Sequence, residues 1–523
     1  MARLKTGPKI VLSLLLLAVV GYSVYRYWPK IQEMTGLSKP GSSSVSESKS
    51  GSAGESASRS SGSSNQVRVR VNIWVGCVPG LVANGGLDTQ PGSIFDQKGL
   101  KVEFKIIDDW TEGAAALATG NVDVMLTTVD VFAKDYFQFS EKKFPTQTVL
   151  MVDWSRGADG IIARQGINSI EDLAGKVVAF PEFTPSHFLL HNALKQSGLA
   201  SAQISEILSR AVHTKDGIDS ATIFGQQKVD AAVAWDPDMS DAVGKRPGSK
   251  KIFDTKVANK LIADILIVGE KYIQEQSPTL SKFLDGWLQG VEFIKQNPQR
   301  AYSLIGAVKD FNIPADLAKI MLEGVKLADY SENSQFFALK GGLSDYANIF
   351  NMAQDTWRDL RVIKRSTDPL KTVEPRFVKN LEAKYPQAAP EAAPTYTAPA
   401  KSATPIMTQQ KSIYFETNSA QMSPDSRVIV DEIGSFMRAY ENTVVDIEGN
   451  TDSTGNREYN MNLSRERAES VKSYLTGKYS FPASRIRTFG NGPDKPLENN
   501  NTPEGREKNR RTDIKVYPNP ASK

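Results

Sequence analysis

Residues 67–75, VRVRVNIWV, alternate apolar and polar side chains at period two, the pattern of a strand with one buried face. Similar β-rich runs follow in KVEFKIID, VDVMLTT, TQTVLMVD, DGIIAR, KVVAF, VDAAVAW and ADILIVG. Helical spacing separates many of them, in TEGAAALATG, SIEDLAG, PSHFLLHNALKQSG and the long SPTLSKFLDGWLQGVEFIKQNP. This alternation predicts α/β layers with largely parallel sheets. From residue 411 the pattern changes. KSIYFETNS reads as a strand with Ile413 and Phe415 on one face and Tyr414 on the other. SPDSRVIVDEIGSFMRAY then reads as a helix, TVVDIEGNTD as a strand and NLSRERAESVKSYL as a second helix, with Leu463, Val471 and Leu475 as its buried stripe. RIRTFGNG and RRTDIKVYP add further strands, so this end is a small α+β unit.

Two low-complexity stretches divide the chain. Residues 29–66 are rich in Ser and Gly and are expected to be a flexible tether; residues 386–405 are rich in Pro and Ala and are expected to be stiffer. They bound a large domain at 67–385 and a small one at 406–523. At the N-terminus, a basic tail at 1–9 precedes an apolar run at 10–28 flanked by Tyr22, Tyr25, Tyr27 and Trp28. That run is read as a single transmembrane helix with the tail in the cytoplasm. The rival is a cleaved signal peptide, but no A-x-A-like site follows the run.

Composition narrows the chemistry. The 523 residues carry a formal net charge of only +4, so no nucleic-acid partner is expected. The one cysteine, Cys77, permits neither an internal disulfide nor a Cys-rich zinc site and is read as a small buried hydrophobe. His187 and His191 stand at i, i+4, but HFLLH lacks the glutamate of HExxH, and no metal is expected there. GxSxG and P-loop motifs are absent as well, so neither an enzyme nor a cofactor is expected.

WTEGAAALATGNVDVMLTTVD, GADGIIARQGINSIEDLAGKVVAF and QQKVDAAVAWDPD, in that order, resemble the periplasmic substrate-binding proteins of nitrate, sulfonate and taurine transporters. The resemblance covers most of 67–383 and implies a two-lobed periplasmic-binding-protein fold (type 2), closing on a small solute. Trp235 and Asp236 follow a strand where it would open into a cleft, and in similar proteins the matching segment lies at the cleft rim. In FTPSHF, Thr184 can cap a helix that starts at Pro185, and its N-terminus, with Ser186, would suit an anionic group. Asp130 and Asp109, the latter beside Trp110, are further candidates; a helix cap and a solvated loop are the plainer readings. Acids, aromatics and a helix N-terminus together leave anion, cation and zwitterion open.

TDSTG, NMNLSRERA and NTPEGREKNRR resemble the OmpA-like peptidoglycan-binding domain over about 410–517. The resemblance implies that Asp452 and Arg467 hold the diaminopimelate of the peptide stem. An acid suits the ammonium of that zwitterion and a guanidinium its carboxylate. Thr451 and Asn460 are expected at the site edge, Gly455 at its turn, and Arg511 near the pocket. Asn450 stands where the family often has histidine, which removes a titratable ring. The two resemblances together imply a solute-binding protein anchored in the inner membrane of a Gram-negative cell and tethered to the wall. It would serve a membrane permease or a sensor. The alternative is an envelope scaffold whose large domain docks a protein.

Overall fold

The strand Thr146–Ser155 leaves one sheet and, after residues 156–158, continues as Asp159–Ala163 of another. Residues 255–262 make the return, from Lys250–Asp254 to Ala263–Gly269. These two crossovers divide the large domain into two lobes. The computed structural model describes residues 65–309, 313–385, 394–416 and 419–521. The transmembrane segment expected at 10–28 lies outside the described residues, as do its basic tail and most of the tether. Among the described residues, no helix is long and apolar enough to cross a membrane.

The first lobe holds a six-stranded sheet in the order Val325–Leu327, Thr146–Ser155, Ala263–Gly269, Val124–Thr128, Gln66–Val71, Lys101–Ile106. The second holds five strands: Val212–Thr214, Val178–Pro181, Ala231–Trp235, Asp159–Ala163, Lys250–Asp254. Neither sheet is largely parallel. Gln66–Val71 and Val178–Pro181 pair parallel with both neighbours, whereas every pair involving a strand next to a crossover is antiparallel. The reason is topological: a chain that crosses to the second lobe and returns must lay its outgoing and incoming strands in opposite directions.

Burial follows the alternating pattern with one instructive exception. Val67, Val69 and Val71 are fully buried, and so is Arg70 between them. Its guanidinium is accommodated by carbonyls, with Nε donating to Ile107 O at 2.8 Å and Nη1 to Leu126 O at 2.7 Å. The long helix Ser277–Gln296 packs Trp287 against Gly80, where a Cβ would sit 2.4 Å from the indole; only glycine permits that approach. SIEDLAG, expected as a helix, forms a single 3-10 turn at Glu171–Leu173.

The small domain is a four-stranded sheet, Met407–Lys411, Thr512–Pro518, Thr443–Asn450, Ile486–Gly492, with helices Pro424–Ala439 and Arg457–Tyr479. Val471 and Leu475 are fully buried and Leu463 nearly so. Its first strand begins earlier than the pattern suggested. Lys411 pairs with Thr512, where the partner strand starts, so residues 412–415 have no ladder to join. Ile413 is nevertheless buried and Tyr414 exposed.

The small domain rests on the returning crossover. The Lys260 N–H donates to Ala439 O at 3.0 Å, and Asn442 Nδ2 donates to Lys256 O at 3.3 Å. Lys260 also lies 3.3 Å from Glu441 and 3.5 Å from Asp345, which Arg438 approaches from the small domain at 2.5 Å. Part of the Pro/Ala-rich stretch is docked too: Tyr396 donates its hydroxyl to Glu441 O and lies against Arg485.

Candidate functional sites

A cleft of about 400 Å³ opens between the lobes, and Asp159 and Ile262, at the ends of the two crossovers, line it. The crossovers are tied to each other beneath it. Thr255 Oγ1 accepts the Gly157 N–H at 2.7 Å and lies 2.9 Å from Ser155 Oγ, which donates to Asp159 Oδ2 at 2.6 Å. On the first-lobe side the wall includes Trp74, Trp110, Thr128, Asp108, Asp109 and Asp264. On the second-lobe side it includes Thr184, Lys215, Asp216, Trp235, Asp236 and Asp238.

Of the residues expected at the solute, Trp235, Asp236, Thr184 and Asp109 line this cleft; Asp130 and Ser186 do not. Both are fully buried, two positions past the cleft-lining cap residues Thr128 and Thr184. Asp109 caps the helix Trp110–Ala118, accepting the Glu112 N–H at 2.8 Å. Asp236 accepts the Ser240 N–H at 3.0 Å. Thr184 holds the cap position of Pro185–Gln196, but its hydroxyl donates to Pro181 O at 2.8 Å instead of capping.

Four carboxylates at or behind the wall are short of positive charge. Burial pushes Asp159 up to about 6 and both Asp153 and Asp130 up to about 7. Burial, with Asp153 and Asp159 close by, drives Asp264 well above the usual carboxylate range. His187 and His191 are core residues held neutral by burial, pushed down to about 3 and about 4. Among the described residues no group of three or more metal-type side chains converges. Cys77 is fully buried, and burial raises its thiol well above the usual range.

The second site is a pocket of about 200 Å³ in the small domain, lined by Tyr414, Phe415, Asn450, Arg467, Glu507 and Arg510 among others. Arg467 is half-buried over the Phe415 ring, 4.9 Å from its centroid, and Nε donates to Ser419 O at 3.1 Å. Among the described residues its two terminal nitrogens make no hydrogen bond. Asp452 and Arg467 are not joined to each other. Asp452 does not line this pocket and is linked to it through Arg510: Oδ1 accepts the Thr454 N–H at 2.8 Å and Oδ2 lies 2.7 Å from Arg510 Nη1.

The other expected residues of this site mostly support the turn. Thr451 donates its hydroxyl to Asp452 O, and Asn460 Nδ2 donates to Thr454 O. Gly455 has φ of 89°, a conformation that favours glycine. Arg511 lines the pocket but is paired on two nitrogens with Asp513, at 2.9 and 3.0 Å. Asn450 is buried, donating to Asp513 Oδ2 and accepting from Asn491. Sequence reasoning passed over Arg510 in favour of its neighbour. It also passed over Trp74, Asp159 and Asp264; the two aspartates stand near the starts of predicted strands that belong to different sheets, and only the crossovers bring both to the cleft.

Residues 93–301 match the family model described as NMT1/THI5 like, and residues 414–510 match the OmpA family. The C-terminal part is 40% identical over 103 residues to outer membrane protein A of Bordetella avium, covering 20% of this chain and 53% of that one. It is 38% identical over 104 residues to the outer-membrane lipoprotein YfiB of Pseudomonas aeruginosa, covering 20% of this chain and 61% of that one. The chain spans about half the length of the curated relatives it matches first. Among solved structures it is similar to the periplasmic aliphatic sulphonate binding protein SsuA from Escherichia coli. That similarity has 18% identity and a TM-score of 0.46, covering 59% of this chain and 97% of the other. The chain therefore joins an NMT1/THI5-like domain to a C-terminal OmpA-family domain.

Proposed function

We propose that this chain captures a small solute in the cleft between its lobes and is held to the cell wall by its small domain. The observation that carries the solute half is the pair of adjoining crossovers at one end of a cleft of about 400 Å³. Two lobes whose sheets are connected by such segments can close on a ligand by small backbone rotations in them. The names of relatives, which include peptidoglycan-associated lipoproteins of Rhizobium meliloti and Buchnera aphidicola, support the wall half. In this reading Arg467 binds a stem-peptide carboxylate with its free terminal nitrogens, and Asp452 receives the ammonium on the same carbon. Asn460 and Thr451 keep the 452–455 turn in place, and Arg510 screens Asp452 until ligand arrives.

The apolar run at 10–28 is proposed as an inner-membrane anchor, leaving both domains in the periplasm. A permease in the same membrane is the proposed recipient of solute, because a tethered carrier meets it at high local concentration. Co-sedimentation of the full chain with diaminopimelate-type peptidoglycan tests the wall half; failure to sediment overturns it. Native mass spectrometry of the purified full chain tests the solute half through any small molecule retained. A protein partner retained in place of a small molecule would favour the scaffold alternative.

A further inference from the structure

We propose that the cleft takes an organic cation, an amine or amidine that fits about 400 Å³, held between aspartates and indole faces. The inference rests on the solute-capture reading and adds to it the charge of the ligand. Among the described residues, seven aspartates and a single lysine, Lys215, line the cleft. The cations nearby are committed elsewhere. Arg70 spends its N–H groups on the carbonyls of Ile107, Leu126 and Asp108. Lys251 lies between Asp236, at 3.7 Å, and Asp254, at 3.5 Å, and donates to Gly157 O. Among the described residues no cation lies within 4 Å of Asp264 or Asp159.

A second set of observations points the same way. Thr128 lines the cleft, 3% exposed, with its hydroxyl set to donate to the Asp130 carboxylate and, among the described residues, accepting no hydrogen bond. Asn72 Oδ1, also in the wall, has none. Two oxygens able to accept hydrogen bonds, set among carboxylates, match a ligand rich in N–H donors. Trp74 and Trp235 supply π faces, which attract cations, as Trp110 already does with the Arg70 guanidinium 5.2 Å from its ring centroid. Trp74 is fixed by Nε1 donating to Asp153 Oδ2 at 3.2 Å, and Trp235 rests on Gly217, where a Cβ would meet the ring at 2.6 Å. An anion finds little in return. The N-termini of Trp110–Ala118 and Gly217–Gly225, which would otherwise attract it, are capped by Asp109 and Asp216. Those of Val129–Glu141 and Pro185–Gln196 carry no side-chain cap, but the first residue of the latter, Pro185, has no N–H to offer. Buried aspartates that hold protons near neutral pH lack a positive charge, and an organic cation supplies one.

Isothermal titration of the full chain at pH 8 tests this with putrescine and choline as cation probes and ethanesulfonate as the anion probe. At least one cation is expected to bind, with affinity lowered tenfold or more by Asp264→Asn or Asp159→Asn. Asp238→Asn, at the partly exposed rim, is expected to weaken binding several-fold even if the buried variants fold poorly. Binding of ethanesulfonate without either cation overturns the ligand class and leaves solute capture standing. No binding by any of the three overturns both.

Discussion

Arg510 Nη1 lies 2.7 Å from Asp452 Oδ2, although half of the arginine side chain is exposed and the aspartate is largely covered. Such a pair contributes less than about 1 kcal/mol, so it does not block a ligand ammonium from the same acid. Arg510→Ala is expected to change peptidoglycan sedimentation by less than about threefold. Arg467→Ala should weaken it at least tenfold, about 1.4 kcal/mol or more, since it removes the half-buried guanidinium whose two terminal nitrogens both lack a hydrogen bond among the described residues. Partial burial alone would raise the Asp452 carboxyl, but hydrogen bonds from Arg510 and Thr454 hold it below the usual range. It stays ionised as pH falls from 8 to 5, so wall binding should be flat over that interval.

The cleft should behave in the opposite way. Asp159, Asp153 and Asp130 bind protons up to about 6, 7 and 7 when folded, but release them near 3.9 when unfolded. Between those values the folded chain holds more protons, so stability falls as pH rises and levels off above about 7. The charges facing these groups are Lys251 and Asp236 for Asp159, Asp159 and Lys134 for Asp130, and Asp264 and Asp159 for Asp153, with Arg70 and Lys215 also near the cleft. Below about pH 6.5 the neutral His187 and His191, pushed down to about 3 and about 4, act in the opposite direction, so thermal melts of the empty full chain should drop from pH 6.5 to pH 8. A bound cation should flatten that slope, and a cation probe should bind about tenfold more tightly at pH 8 than at pH 5.

Thr255→Val tests the tie between the crossovers. The valine is close in size but leaves the Gly157 N–H without its 2.7 Å acceptor and removes the neighbour of Ser155 Oγ. A buried donor left unmade costs about 1–3 kcal/mol. The expected result is earlier unfolding of the large domain in urea, with the small-domain transition unmoved.

Asp345→Asn tests the docking of the small domain. Asp345 lies between Lys260 and Arg438, and all three side chains are mostly buried. Removing its charge leaves the Arg438 guanidinium without this carboxylate and Lys260 with Glu441 alone, at a cost of roughly 1–3 kcal/mol. Hydrogen exchange should accelerate at 255–262 and 439–442 together. Faster exchange at only one of the two would contradict the docking.

The period-two runs located most strands of the large domain, because a half-buried strand writes its burial into every second residue. Arg70 was hidden by the same rule, since its burial depends on carbonyls brought from Ile107 and Leu126 by folding. Antiparallel pairing was not legible either; strand direction depends on how often the chain crosses between lobes, and no local pattern carries that number. The site was legible in part. Trp235 and Asp236 could be placed because they end a strand. Asp159 and Asp264 begin strands far apart in sequence and meet only across the crossovers. In the small domain the motif indicated Asp452 and Arg467, while the choice between Arg510 and Arg511 rested on side-chain direction. Arg511 turns to Asp513 and Arg510 to Asp452.

The small domain touches both sides of the cleft as well as the returning crossover. Tyr440 lies against Phe253 of the second lobe, 6.1 Å between ring centroids. Asn348 donates to Ser435 O from the helix Asp345–Asp359, which packs Phe350 on Phe132 beside the first-lobe sheet. It acts as a splint laid across a joint. Any swing of one lobe toward the other must slide or break these contacts, so part of the free energy released by a ligand is spent on the splint. The dissociation constant is then a property of the whole chain, and excised lobes would report a different one.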